Sequence, residues 1–176
     1  MYGDTYAPNI KAVIKCIRCS SEFSLTDKKI MCSCGGLLQV EFKKIPELTW
    51  DILKSRPFKL WRYRELIPIP TEARIISLGE GGTPLIKLMV SENLVRIKRA
   101  YIKFEGANPT GSFKDRGMTV AVSMAKYLGA RVVACASTGN TSASMSAYAA
   151  RAGLKSLVIL PKDKVAKGKL MQAVLH

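Results

Sequence analysis

The second half of the chain runs from a strand-like stretch through a polar turn to apolar positions at helical spacing, and the cycle then repeats. Residues 101–105 (YIKFE) read as a strand, stopped by the turn formers Asn108, Pro109 and Gly111. Met118, Val122, Ala125 and Leu128 fall on one helical face and Gly129 closes the run, which predicts a helix over 113–128. The β-branched run 132–136 predicts a buried strand, the small residues 142–152 a helix, and 156–160 a further strand. A last helix over 164–175 has Leu170, Met171, Val174 and Leu175 as its apolar side. Such alternation is the signature of an α/β fold, a parallel sheet with crossover helices. Functional residues of such sheets sit in loops after the strands, where the polar stretches 108–112 and 137–141 fall.

The first hundred residues are patterned differently. Residue 37 begins a strand-like run to 42 that can pair back on a small cysteine-bearing ribbon. Residues 44–77 carry Pro46, Pro57, Pro68 and Pro70, with room for short helices at 48–55 and 60–66. This stretch predicts an arm laid over another surface, with Trp50, Trp61 and Tyr63 as its packing anchors. The chain accordingly divides into a ribbon-like module at 1–43, an arm leading into a larger domain at 44–98, and a small α/β domain at 99–176. No internal repeat and no low-complexity segment interrupts this order.

Two clusters carry candidate chemistry. Cys16-x2-Cys19 and Cys32-x-Cys34, the latter followed by Gly35 and Gly36, set two pairs of thiols on tight knuckles twelve residues apart. Four thiolates so spaced suit a closed, structural Zn2+ site. Two disulfides in a secreted module are the alternative, but the N-terminus has no apolar signal region, which favours a cytoplasmic protein. Cys135 reads as a core residue. The second cluster begins at Ser112, which predicts a helix N-cap with Asp115 three residues on, a capping box with Asp in place of Glu. Lys114 then sits in the first helical turn, where the helix dipole disfavours positive charge. That placement suits a lysine working as a neutral amine, although by spacing alone an ordinary solvated lysine is the leading reading, helix lysines being common.

Composition narrows the class. With 48% hydrophobic and 23% charged residues the chain is globular, and its apolar runs are too short to span a membrane as a helix. The net charge of +15 comes from 28 Lys and Arg spread along the whole chain, with no nucleic-acid-binding motif among them. An anionic ligand would use a few of these charges, and a more acidic remainder of the protein would balance others.

Three motifs in order, GEGGTPL at 79–85, NPTGSFKDRG at 108–117 and STGNTSAS at 137–144, closely resemble the fold type II pyridoxal-phosphate (PLP) enzymes. Within that family they look most like the threonine synthase branch. The resemblance implies a three-layer α/β sheet with crossover helices, here incomplete, with Lys114 as the Schiff-base lysine. It implies that Asn140 bonds the cofactor's ring hydroxyl and that Ser137, Thr138 and Thr141 hold a substrate carboxylate or phosphate. Thr83 maps to the rim of the site, and Lys169 is a weaker candidate for the substrate phosphate. The implied reaction converts O-phosphohomoserine and water to threonine and phosphate, in a homo-oligomer. Cysteate synthase, threonine dehydratase and cysteine synthase share Lys114 and Asn140, and a non-catalytic basic zinc-ribbon binding protein is a reading from another class. The family's glycine-rich loop for the cofactor phosphate has no counterpart before residue 176, so the chain is expected to be an N-terminal portion, inactive alone. His176, the single histidine, is given no role.

Overall fold

The computed structural model describes residues 12–89 and 99–161, together with 171, 172 and 175. Strands β1 (Ala12–Cys16), β2 (Glu22–Phe23) and β3 (Leu38–Phe42) form an antiparallel ribbon in the order β2-β1-β3, with Ile14 opposite Phe23 and Cys16 opposite Leu38. The ribbon is too small to enclose its own apolar side chains: Ile17, Ile30, Met31 and Leu37 are all exposed.

The arm follows. Thr49 caps α1 (Trp50–Lys54) by accepting from the Ile52 N–H, and Asp51 lies in its first turn. A 3-10 helix, Leu60–Leu66, is kinked at Tyr63, and the Arg56 guanidinium grips the Glu65 carboxylate at 2.5 and 2.7 Å. Trp61 is buried as expected, but Trp50 is 75% exposed and anchors nothing. A five-residue helix with no buried residue leaves its first side chain in solvent.

Glycines decide how the arm docks. Leu60 N–H donates to the Glu80 carbonyl at 3.0 Å, and a Cβ on Gly81 or Gly82 would lie 2.5 Å from Leu60 N or 1.8 Å from Phe58 O. Both glycines have positive φ, +82° and +63°, so backbone meets backbone where no side chain fits.

Strand β4 (Leu85–Lys87) pairs antiparallel with β5 (Tyr101–Lys103). The expected strand at 101–105 is therefore shorter and belongs to a separate two-stranded sheet, and Glu105–Ala107 is a 3-10 turn. Helix α2 (Lys114–Tyr127), strand β6 (Val132–Ala136), helix α3 (Asn140–Ala152) and strand β7 (Lys155–Ile159) follow the predicted order. β6 and β7 pair in parallel, Val133 opposite Ser156 and Cys135 opposite Val158, which makes β6-α3-β7 a crossover unit. Gly153 ends α3 in the left-handed conformation. Most of the expected helix at 164–175 lies outside the described residues.

The core sits between α2, α3 and the segment before Gly79. Ile76, Val122, Tyr148, Ala149, Ala152 and Leu154 cluster with Met118 and Val133 against them, and Trp61, Ile69 and Ala73 form a second cluster under the arm. With two strands, the parallel sheet has one covered face: Val133 packs inward while Val132, Leu157 and Ile159 are exposed, so 132–136 is half-buried rather than buried.

Gly82→Ala is expected to lower unfolding stability by more than about 1 kcal/mol, since it adds both a clash and left-handed strain. Gly117→Ala, inside α2 with open space where a Cβ would go, is expected to raise it by about 0.5–1 kcal/mol. Urea unfolding midpoints of the two variants against the parent chain check both signs.

Candidate active site

Lys114 is the first residue of α2, half-buried, with its Nζ 4.6 Å from the centroid of the Phe113 ring. The expected capping box is not formed. Phe113 stands at the N-cap without a side-chain bond, and Ser112 Oγ accepts from the Lys114 N–H at 3.2 Å. Asp115, one methylene shorter than Glu, turns away instead: it accepts from the Thr110 N–H at 2.7 Å, the Thr110 hydroxyl at 2.5 Å and the Ser144 hydroxyl at 2.5 Å. Asp115 and Ser144 are both fully buried.

Asn140 opens α3. Gly139 is at its N-cap and supplies no side chain, so the helix start keeps unpaired N–H groups beside Ser137, Thr138 and Thr141, all half-buried. Ser137 Oγ accepts from the Gly139 N–H, and Ser142 donates to the Gly139 carbonyl. The Asn140 Oδ1 is buried and has no hydrogen-bond partner. A buried amide oxygen without a donor is costly, so a polar ligand group completing it is favourable. A helix N-terminus with hydroxyls around it also suits an anion.

Thr83 is buried. Its hydroxyl donates to Glu105 Oε1 at 2.6 Å and accepts from the Arg116 guanidinium at 3.1 Å. Arg116 grips Glu105 at 2.7 and 2.8 Å, and Asn108 joins them by donating to Glu105 Oε2 while accepting from the Gly81 N–H. The Arg116 guanidinium foremost, then the Thr83 and Asn108 donors, hold the Glu105 carboxyl down to about 2 against the desolvation that raises it. Lys169 lies outside the described residues, as do Lys162, Lys164, Lys167 and His176.

Sequence reasoning passed over the residue that joins these pieces. Glu80, 1% exposed, accepts from Trp61 Nε1 at 2.9 Å, Ser77 Oγ at 3.0 Å, the Leu78 N–H at 3.0 Å and the Tyr148 hydroxyl at 2.7 Å. Burial, and then the Glu80 carboxylate it donates to, push the Tyr148 hydroxyl far up, so it stays a donor. A signal was present: Glu80 stands within a glycine run, where an ordinary surface glutamate has nothing to pack on.

The four ribbon cysteines are free, and their Sγ atoms all lie within 4.8 Å of one another. Cys16 and Cys34 are 3.5 Å apart and Cys19 and Cys32 3.6 Å, close to the edge of about 3.8 Å that a tetrahedron with 2.3 Å Zn–S bonds requires. A Cβ on Gly36 would come within 2.5 Å of Cys16 Sγ, so this glycine leaves room for the cluster. The Ser21 hydroxyl lowers Cys19 to about 6. Cys34 has the Gly36 N–H pulling it down but is raised to about 12 by its contacts with Cys19 and Cys16.

Residues 76–175 match the family described as pyridoxal-phosphate dependent enzyme. The chain belongs to that family. It is similar to threonine synthase of Methanocaldococcus jannaschii, 49% identical over 165 residues, covering 92% of this chain and 41% of that protein. Threonine synthase of Methanosarcina acetivorans is 46% identical over 166 residues, 93% of this chain and 40% of that protein. The Halalkalibacterium halodurans threonine synthase is 56% identical over 119 residues, 66% of this chain and 33% of that protein. The chain thus spans about two fifths or less of the length of these curated relatives. No helix among the described residues is long and apolar enough to cross a membrane.

Because Glu105 titrates below its ordinary 4.5, its contribution to stability is present above that pH and lost as pH falls toward about 2. Unfolding midpoints measured from pH 6 to pH 2.5 should therefore fall more steeply for the parent chain than for Glu105→Gln. Equal slopes would remove Glu105 from the acid response.

Proposed function

We propose that this chain is the lysine-bearing portion of a PLP-dependent threonine synthase, which converts O-phosphohomoserine and water to threonine and phosphate. The observation that carries the reading is the buried, partnerless Asn140 oxygen at the start of α3, in a chain whose relatives are threonine synthases. In this reading Lys114 is the amine that would hold the cofactor through its aldehyde, and it would take up and return protons at the substrate carbons. Asn140 orients the ring through its hydroxyl, and Ser137, Thr138 and Thr141 with the α3 N–H groups hold a carboxylate or phosphate. Lys169 assists with the substrate phosphate. Thr83 is proposed to border the site, a reading supported by the tie of its hydroxyl to Glu105 and to Arg116, two residues after Lys114. The cofactor itself supplies the electron sink, which no protein side chain offers.

The wider architecture belongs to the same proposal. Residues 1–43 form the ribbon module, 44–98 the arm and the start of the larger domain, and 99–176 the small domain of a three-layer α/β enzyme. The exposed Val132, Leu157 and Ile159 on the open sheet face favour association with further protein, in a homo-oligomer.

Incubation with PLP, borohydride reduction and peptide mass mapping tests the site. Label concentrated on Lys114, and lost in Lys114→Ala without moving to another lysine, is the expected result; label scattered over many lysines sinks the reading.

Cys16, Cys19, Cys32 and Cys34 are proposed to hold a structural Zn2+, whose charge relieves the crowding of four thiolates and closes a ribbon with little core of its own. Purified chain is expected to carry zinc at one ion per molecule by atomic emission. Cys19→Ser and Gly36→Ala should both lose it readily to a chelator, and a metal-free chain with an equally stable ribbon would contradict the assignment.

A further inference from the structure

Helices α2 and α3 present the two groups on which the cofactor reading rests, Lys114 at the start of one and Asn140 at the start of the other. Met118, Val122, Tyr148 and Ala149 supply the apolar part of their mutual packing. Apolar contact is non-directional and leaves the axial slide of one helix on the other weakly determined. The other buried polar side chains of the two helices do not bridge them: Thr119 bonds the Ile76 carbonyl, Ser123 the Ile76 N–H, Ser142 the Gly139 carbonyl and Tyr148 Glu80, while Ser146 Oγ has no partner. Among the described residues, one hydrogen bond joins α2 directly to α3, from the Ser144 hydroxyl to Asp115 Oδ1 at 2.5 Å.

We propose that Asp115 and Ser144 are a positioning pair that sets the spacing between the Lys114 amine and the Asn140 amide. The inference rests on the reading in which these two groups hold one ring-shaped cofactor. Asp115 directly follows Lys114, and Ser144 lies one helical turn beyond Asn140, so the bond acts at the end of the helix pair where precision matters. Asp115 is fully buried, and its three donors are the Thr110 N–H, the Thr110 hydroxyl and Ser144. The Thr110 donors come from the turn leading into α2 itself, so Ser144 alone ties the carboxylate to the second helix. A buried carboxylate deprived of a donor rearranges to recover one, and the first turn of α2, with Lys114 in it, moves with it.

The test compares Ser144→Ala with Ser123→Ala. Ser123 is also fully buried, lies on α2 and accepts from the Ile76 N–H at 2.8 Å, so its loss destabilises the fold without touching the link between the helices. Each chain is incubated with PLP well below its own unfolding midpoint, reduced with borohydride and mapped for the share of label on Lys114. Ser144→Ala is expected to reduce that share by roughly tenfold or more, as displacement of a reacting group does. Ser123→Ala, with an equal or larger fall in midpoint, is expected to keep it. Retention of the focus in Ser144→Ala, or equal loss in both variants, overturns the positioning role and leaves the cofactor reading standing. Scattered label in the parent chain overturns that reading and the pair with it. Should Ser144→Ala not fold, Ser144→Cys, similar in shape but a weak donor, is measured the same way and held to the same outcomes.

Discussion

A carboxylate withdrawn from water is tolerated when its oxygens are met by donors, and Glu80 is met by four groups from three parts of the chain. Trp61 comes from the arm, Ser77 and Leu78 from the approach to the glycine run, and Tyr148 from α3. Trp61 Nε1 also lies 2.9 Å from Thr119 Oγ1, which brings α2 into the same network. Removing the carboxylate would strand several buried donors together, a larger loss than any single bond suggests. The apolar clusters supply the bulk of the burial, while this network specifies which surfaces meet.

The two helices were readable because their periodicities are local properties of 14 and 13 residues, and the clustered cysteines were readable because metal-ligand spacing is written along the chain. Strand pairing is not local. Tyr101–Lys103 has the residues of a strand, but only the three-dimensional chain reveals Leu85–Lys87 as its antiparallel neighbour. The capping box failed for a related reason: Asp115 had better donors in Thr110 and Ser144 than the N–H it was expected to reach. Buried carboxylates run against the usual placement of Asp and Glu, so Glu80 and Asp115 were invisible to composition. Buried Ser144, which donates to Asp115, was the trace one of them left.

The chain therefore combines two kinds of stabilisation. The ribbon exposes Ile17, Ile30, Met31 and Leu37 and gathers four sulfurs at its centre, so its cohesion is concentrated at one point. The helical part distributes cohesion through Glu80, Asp115 and Glu105, each joining a different set of segments.

The contact of Gly81 and Gly82 with Phe58 and Leu60 has a mechanical consequence. Two backbones in van der Waals contact, joined by the Leu60–Glu80 hydrogen bond, have no side chains between them to act as a bearing. Arm and glycine run therefore cannot slide past each other by rotamer changes, the small adjustments through which packed surfaces shear. Any displacement of the glycine run must carry the arm along as part of the same rigid piece, and the joint for such a motion has to lie at another place in the chain.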